Sequence, residues 1–362
     1  ANDISGRSIS FNSAGDRIAI GAYGNDGNGT DAGQVRVYAL SSGSWSQLGG
    51  DIDGEAANDR SGQAVSMNSS GDRVVIGAYH NDGNGTKSGH VRIYQYSSGS
   101  WSQLGSDIDG EAEGDEFGLS VAMNDAGDRI AVGGHENDGS ASRAGHARVY
   151  SYNGSAWVQL GADIDGEAAS DNFGYAVSIN DAGSRIAIGA LYNDGNGSDA
   201  GHVRIYDYSP DTDSWSQVQS DIDGEAAEDR SGYGVSLAAS GDRVAIGANL
   251  NDGTANNAGH VRIFDLKPAP DTVGPIMTIT ATNGSSAVAD GATTNDNTLT
   301  VTFTSNEATT NFAASDITVS GGAISNFSAS SSTVYTATFT PTAAGATTID
   351  VAANKFTDAV GN

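Results

Sequence analysis

Asp72-Arg-Val-Val-Ile-Gly77 decides the fold, because it recurs. The same run appears as Asp16-Arg-Ile-Ala-Ile-Gly21, Asp128-Arg-Ile-Ala-Val-Gly133, Ser184-Arg-Ile-Ala-Ile-Gly189 and Asp242-Arg-Val-Ala-Ile-Gly247, at spacings of 56, 56, 56 and 58 residues. A fixed period of this length marks a repeat architecture and has to be settled before any local motif is interpreted.

Working outward from it, the second unit starts with Gly62-Gln-Ala-Val-Ser-Met67 and turns at Asn68-Ser-Ser-Gly71, then runs from Arg73 to Tyr79. A loop at Asn81-Asp-Gly-Asn-Gly85 follows, then His90-Val-Arg-Ile-Tyr94, a turn at Ser97-Ser-Gly-Ser100, and Trp101-Ser-Gln-Leu104. Period-two alternation between turn residues predicts four short antiparallel strands. Such units bury their apolar faces against one another, so the expected fold is all-β, a β-propeller with one four-stranded blade per unit. Five copies of the first three strands are present but only four of the Trp strand (Trp45, Trp101, Trp157, Trp215), because the fifth unit runs through His260-Val-Arg-Ile-Phe264 into Leu266-Lys-Pro-Ala-Pro270. Residues 1–266 therefore read as five blades, the fifth lacking its last strand. Either they form a ring whose closing strand precedes residue 1 or is absent, or they are a slice of a larger propeller.

At Phe117-Gly-Leu-Ser-Val-Ala-Met123, Arg129-Ile-Ala-Val-Gly-Gly134 and Gly145-His-Ala-Arg-Val-Tyr150 the units resemble FG-GAP repeats, the blades of integrin α-subunit head propellers and of bacterial surface proteins. Phe173-Gly174 repeats the namesake pair, while Ser5, Ser61 and Ser231 replace the Phe elsewhere. The integrin-type calcium loop between the first two strands has no counterpart, since only a tight turn such as Asn124-Asp-Ala-Gly127 stands there.

Three of the five prolines fall in Leu266–Pro275, which predicts a semi-rigid linker over 267–275. Beyond it, Met277-Thr-Ile-Thr-Ala281, Leu299-Thr-Val-Thr-Phe303, Ile317-Thr-Val319, Val334-Tyr-Thr-Ala-Thr-Phe339 and Thr347-Thr-Ile-Asp-Val351 alternate apolar residues with Thr. About seven strands in this length fit a β-sandwich over 276–362. Phe303-Thr-Ser-Asn-Glu307, Phe339-Thr-Pro-Thr342 and Phe356-Thr-Asp-Ala-Val-Gly-Asn362 resemble bacterial Ig-like domains of exported adhesins. That likeness implies an extracellular or cell-surface spacer in a longer multidomain chain.

The 362 residues carry 45 Asp+Glu against 17 Lys+Arg, a formal charge of −28. Such a surface repels phosphate backbones and anionic lipid, which argues against nucleic-acid partners and direct membrane insertion. No Cys is present, which removes disulfides, thiolate nucleophiles and Cys-ligated metal. A start at Ala1, without a signal peptide, suggests a processed or trimmed chain. Of the charges, 38 acidic and 16 basic residues fall in 1–270, so the excess is a patterned property of the blades.

Its densest element is Asp51, Asp53, Glu55 and Asp59, repeated as Asp107, Asp109, Glu111, Asp115; Asp163, Asp165, Glu167, Asp171; and Asp221, Asp223, Glu225, Asp229. Oxygen-rich clusters suit Ca2+. The competing assignment is ion pairing between blades with Arg17, Arg73, Arg129, Arg185, Arg243 and Arg36, Arg92, Arg148, Arg204, Arg262. Asn25-Asp26, Asn81-Asp82, Asn137-Asp138, Asn193-Asp194 and Asn251-Asp252 form candidate ligand-binding rim loops, against self-capped turns. His90, His146, His202 and His260 share one position with Gln34, which favours a repeated structural hydrogen bond over a metal ring.

An enzyme needs different groups in one asymmetric cleft. The symmetry-breaking residues His80, Lys87, Glu113, Glu116, His135, Glu136 and Arg143 match no catalytic motif. The expected function is therefore non-enzymatic recognition or adhesion of a protein or glycan. The alternatives are a carbohydrate-binding lectin and, behind it, a polysaccharide-active propeller with Glu113, Glu116 or Glu136 as carboxylates.

Overall fold

A computed structural model describes residues 2–266, 274–353 and 355–358. The chain divides into two compact units, Ala1–Leu266 and Lys267–Asn362; the linker read at 267–275 lies mostly outside the described residues.

In the first unit each repeat becomes one antiparallel sheet. Blade 1 is Ser5–Phe11, Arg17–Ala22, Gln34–Ser41 and Ser44–Gln47. Blade 2 is Ala64–Met67, Arg73–Ala78, His90–Ser97 and Ser100–Gln103. Blade 3 is Ser120–Met123, Arg129–Gly134, His146–Tyr152 and Trp157–Gln159. Blade 4 is Phe173–Ile179, Arg185–Ala190, His202–Ser209 and Ser214–Gln217, and among the described residues blade 5 has Ser231–Leu237, Arg243–Ala248 and His260–Asp265. The turn after the first strand is set by an Asn: Asn68 Oδ1 accepts from the amides of Asp72 (3.1 Å) and Arg73 (2.9 Å), and Gly71 takes the left-handed conformation that closes it.

Blades 1 to 4 each carry one strand beyond the four that the repeat pattern predicts. The acidic segments contribute two-residue strands, Ile52–Asp53, Ile108–Asp109, Ile164–Asp165 and Ile222–Asp223, each paired to the third strand of its own blade. Two residues are too few for alternation to show. Their Ile side chains are buried.

The apolar cores lie between blades. Val35, Val37 and Ile52 of blade 1 pack with Val65, Met67, Val74 and Ile76 of blade 2, and the pattern recurs at the next three junctions. Trp101, Trp157 and Trp215 span the same seams, donating Nε1–H to the carbonyls of Leu48, Leu104 and Leu160 of the preceding blade at 2.7–2.8 Å. The second-strand Gly of the founding motif sets how near neighbouring blades come. A methyl group on Gly77 would stand 1.9 Å from the Gly118 carbonyl oxygen of the next blade, and Gly21, Gly133 and Gly189 meet Gly62, Gly174 and Gly232 in the same way. Gly247, in the last blade, has nothing nearer than 3.7 Å.

The two end faces are open. Val261 and Ile263 of blade 5 are 68% and 72% exposed where their counterparts Val203 and Ile205 are buried, and Ile9, Phe11 and Trp45 of blade 1 are about half exposed. The described blades thus do not seal into a five-membered ring. The faces that closure would press together stay uncovered.

The second unit holds a five-stranded sheet built from Met277–Thr282, Ala287–Val288, Leu299–Ser305, Gly322–Ala329 and Val334–Pro341, with a two-stranded sheet of Ile317–Ser320 and Thr348–Val351. Val301, Phe303, Tyr335, Ala337 and Phe339 alternate into its core around Phe312, whose ring meets Phe303, Phe327, Tyr335 and Phe356 at 5.0–5.7 Å.

The glycine contact carries a prediction with a built-in control. Gly133→Ala forces blades apart and lowers stability by about 3 kcal/mol, whereas Gly247→Ala stays within about 1 kcal/mol of wild type. Denaturant midpoints of the two variants check this; equal losses would contradict it.

Candidate recognition site

The acidic segments divide their carboxylates among protein donors. Asp51, Asp107, Asp163 and Asp221 each accept a two-pronged bond from Arg36, Arg92, Arg148 and Arg204, with Nε at 3.0–3.1 Å. Burial pushes the Asp163 and Asp221 carboxyls up, but the Arg and Gln hydrogen bonds outweigh it and hold both below the ordinary aspartate value. Glu55, Glu111 and Glu167 reach forward to Arg92, Arg148 and Arg204 of the next blade, and Glu225 lies 3.7 Å from Arg262. Arg92, Arg148 and Arg204 therefore tie each Glu to an Asp across a seam. Asp59, Asp115, Asp171 and Asp229 are buried; Asn81, Asn193 and Asn251 donate to Asp59, Asp171 and Asp229 at 2.8–3.1 Å. Asp53 accepts from Gln34, while Asp109, Asp165 and Asp223 pair in register with the third-strand histidines. The other Arg set, Arg17, Arg73, Arg129 and Arg185, also crosses the seams, but to the carbonyls of Gly71, Gly127, Gly183 and Gly241.

The rim loops cap themselves. Asn25, Asn81, Asn137, Asn193 and Asn251 accept from the amides of Gly27, Gly83, Gly139, Gly195 and Gly253 at 2.8–2.9 Å. Asp26, Asp82, Asp138, Asp194 and Asp252 accept from the amides of residues 31, 87, 143, 199 and 257 at 2.6–2.9 Å. What those loops present is not repeated: the five residues are Asp31, Lys87, Arg143, Asp199 and Asn257, all at φ between 51° and 54°.

These five belong to a set of divergent positions. Ile4, Arg60, Glu116, Asn172 and Arg230 occupy one shared site, again left-handed at φ 51–58°. Four of them donate their amide to the carbonyl of the preceding blade's loop residue, as Glu116 does to Lys87 at 3.0 Å. Tyr23, Tyr79, His135, Leu191 and Asn249 are equivalent, as are Gly24, His80, Glu136, Tyr192 and Leu250. A bulky side chain in the left-handed region costs on the order of 1 kcal/mol.

The side chains gather. His80 Nε2 lies 3.4 Å and His135 Nε2 3.7 Å from Glu116, His135 is 3.5 Å from Glu136, and Lys87 approaches Glu116 at 3.9 Å. Arg143 clasps Glu136, which also accepts from Asn172 at 3.1 Å. Burial pushes Glu116 up, but His80, His135 and Lys87 overcome it and keep the carboxyl ionised; burial holds His135 below the ordinary histidine value against the two glutamates. On one flank Arg60 stacks on Tyr23 and Tyr79 and bonds the Tyr79 hydroxyl; on the other, Arg230 sits 5.0 Å over Tyr192. His135 meets Tyr175, and Tyr175 meets Tyr233 at 5.5 Å. Tyr175, Tyr233, Arg7, Gln63 and Leu119, one equivalent residue per blade, line an opening of about 200 Å³.

Six of the seven symmetry-breaking residues thus meet beside this opening, while Glu113 stays apart, exposed beside Gly85. Sequence reasoning missed Arg60, Tyr79, Tyr175, Tyr192 and Arg230. The available signal was column-by-column comparison of the units, in which these positions vary while the strand cores do not.

The arginine bridges across the seams give a second prediction. Arg148, 5% exposed, holds Glu111 and Asp163, and Arg148→Met lowers stability by about 3 kcal/mol by stranding both. Arg36, on the open first blade with Asp51 alone, is worth at most about 1 kcal/mol. Chemical denaturation distinguishes them; equal losses would contradict a role across the seams for Arg148.

Two family models match parts of the chain. Residues 53–94 and 163–206 match the family model of the FG-GAP repeat, and residues 271–362 that of a bacterial Ig-like domain. No curated protein matches the chain. Among solved structures, a proposed 6-phosphogluconolactonase of Bacteroides uniformis is 13% identical, with 83% of this chain and 80% of that one covered and a TM-score of 0.49. The periplasmic gluconolactonase of Pseudomonas aeruginosa is 12% identical over 82% and 80%, TM-score 0.46. The β-propeller domain of the Trilobed protease from Pyrococcus furiosus is 10% identical over 83% and 78%, TM-score 0.41. Likeness at this level carries nothing about activity. The chain is a β-propeller array with FG-GAP repeats followed by a bacterial Ig-like domain.

Proposed function

We propose that this is an extracellular recognition or adhesion protein that presents the divergent rim of its blades to a protein or glycan on a cell surface, with the Ig-like domain as spacer. One observation carries the reading. In an array whose seams repeat almost residue for residue, the variation converges on one side and fills strained left-handed positions with Arg, Glu and Lys. Stability alone would favour Gly or Asn there; side chains kept against local strain mark a site used for something else. Tyrosine and arginine, the types enriched at binding hot spots, flank it.

The lectin alternative draws on Tyr233, 41% exposed beside the opening and adjacent to Tyr175, an apolar ring of the kind that stacks on a sugar face. Glu116, held ionised, suits accepting hydrogen bonds from a bound group more than donating a proton.

The test uses the whole chain on a glycan array and against a library of displayed extracellular proteins. Saturable binding is expected, weakened at least tenfold by Arg60→Asn, Glu116→Asn or Arg230→Asn. Their melting temperatures should be unchanged or raised, because Asn172 already occupies the equivalent site in blade 4. Binding that survives all three substitutions would refute the assignment.

A further inference from the structure

We propose that the three complete blade junctions, Glu55–His90–Asp107, Glu111–His146–Asp163 and Glu167–His202–Asp221, each bind one divalent transition-metal ion of the zinc class. In each, a Glu from one blade, a His opening the next blade's third strand and that blade's own Asp offer ligand atoms within 4.8 Å of one another.

The imidazoles are the reason. His146 is fully buried and His202 1% exposed, yet Nδ1 of both lacks a hydrogen-bond partner. A buried polar atom left unsatisfied costs about 1–3 kcal/mol. These nitrogens face the carboxylates at a distance too long for a hydrogen bond: 3.8 Å from His146 to Asp163, 3.8 and 3.6 Å from His202 to Glu167 and Asp221, and 3.9 Å from His90 to Glu55. An ion held at zinc's usual bond lengths separates its tetrahedral ligands by about 3.3–3.6 Å, so a small closure would seat one. Burial lowers all three histidine pKa values against the surrounding acids, leaving the neutral imidazole that metals bind.

Blade 1 supplies the comparison. Gln34 stands where the other blades have His, and its amide donates directly to Asp51 (2.9 Å) and Asp53 (2.7 Å), filling the same space with no group left over. The junction of blades 4 and 5 keeps Glu225 and His260, 3.6 Å apart, but among the described residues blade 5 has no acidic strand of its own to supply the Asp. Among the described residues the three-ligand set thus arises where both neighbours are complete.

Charge permits the ion. Each junction holds two carboxylates and one Arg, with Asp109, Asp165 or Asp223 adjacent, so it stays negative after arginine pairing. Carboxylates have spare lone pairs for both cations. A nitrogen donor selects against calcium, which takes oxygen ligands.

The experiment is calorimetric titration of the EDTA-stripped full chain with Zn2+, together with Co2+ absorption as a geometry reporter. Wild type should take about three ions, and His90→Gln/His146→Gln/His202→Gln should lose them while keeping its circular dichroism, since blade 1 already uses Gln. Should the triple variant misfold, His146→Gln alone should reduce the stoichiometry from three to two. His80→Gln/His135→Gln, which alters the rim, should leave three. Absence of Zn2+ binding by wild type, or undiminished binding by the Gln variants, overturns the proposal.

Discussion

Backbone against backbone, through glycine, is the contact on which the blades depend. At four seams the second-strand Gly faces the carbonyl of a Gly at or just before the start of the next blade's first strand, with no room for a methyl group between them. That approach brings the Val, Ile and Met faces of adjacent sheets into one core, puts Trp101, Trp157 and Trp215 in reach of a neighbour's Leu carbonyl, and lets Arg92, Arg148 and Arg204 join carboxylates of two blades. Hydrophobic burial supplies most of the energy; the glycines decide whether it can be collected.

A seam so demanding fixes its residues in every copy, and this frees others. The loops that close each blade cap themselves with Asn and Asp, so the residues they hold out need satisfy nothing in the core. Divergence accumulates there: Arg60, Glu116, Asn172 and Arg230 share one backbone conformation but carry a cation, an anion, an amide and a second cation. The acidic excess belongs to the other class. Its repeated carboxylates serve the seams, paired with arginine and facing buried imidazoles, and do not form a diffuse charged surface.

Much of this was legible in the sequence. The period of 56, the strands of the blades and the Thr-alternating sandwich all follow from patterns that side-chain periodicity imposes. The arginine and acidic repeats pointed to pairing between blades because both recur at fixed offsets. Three features were not legible. The two-residue strands at Ile52, Ile108, Ile164 and Ile222 are too short to show a period. The meeting of His80, Glu116, His135 and Glu136 depends on which side of the blades their loops emerge, which no local pattern reports. The histidines were expected to make a repeated hydrogen bond as Gln34 does, but the imidazole is shorter than the Gln amide reach and stops at 3.6–3.9 Å from the acids.

The central claim is that seams hold the array while the rim serves recognition. The most direct test is a substitution scan of residues 2–266 scored twice, for protease resistance and for binding to the surface or array feature the wild type recognises. The account predicts separation: Gly77, Gly133, Trp157 and Arg148 lose protease resistance, whereas Arg60, Glu116, Glu136, Arg143, Tyr192 and Arg230 keep it and lose binding. A rim as intolerant in the protease score as the seams, with no separate binding signature, would contradict it.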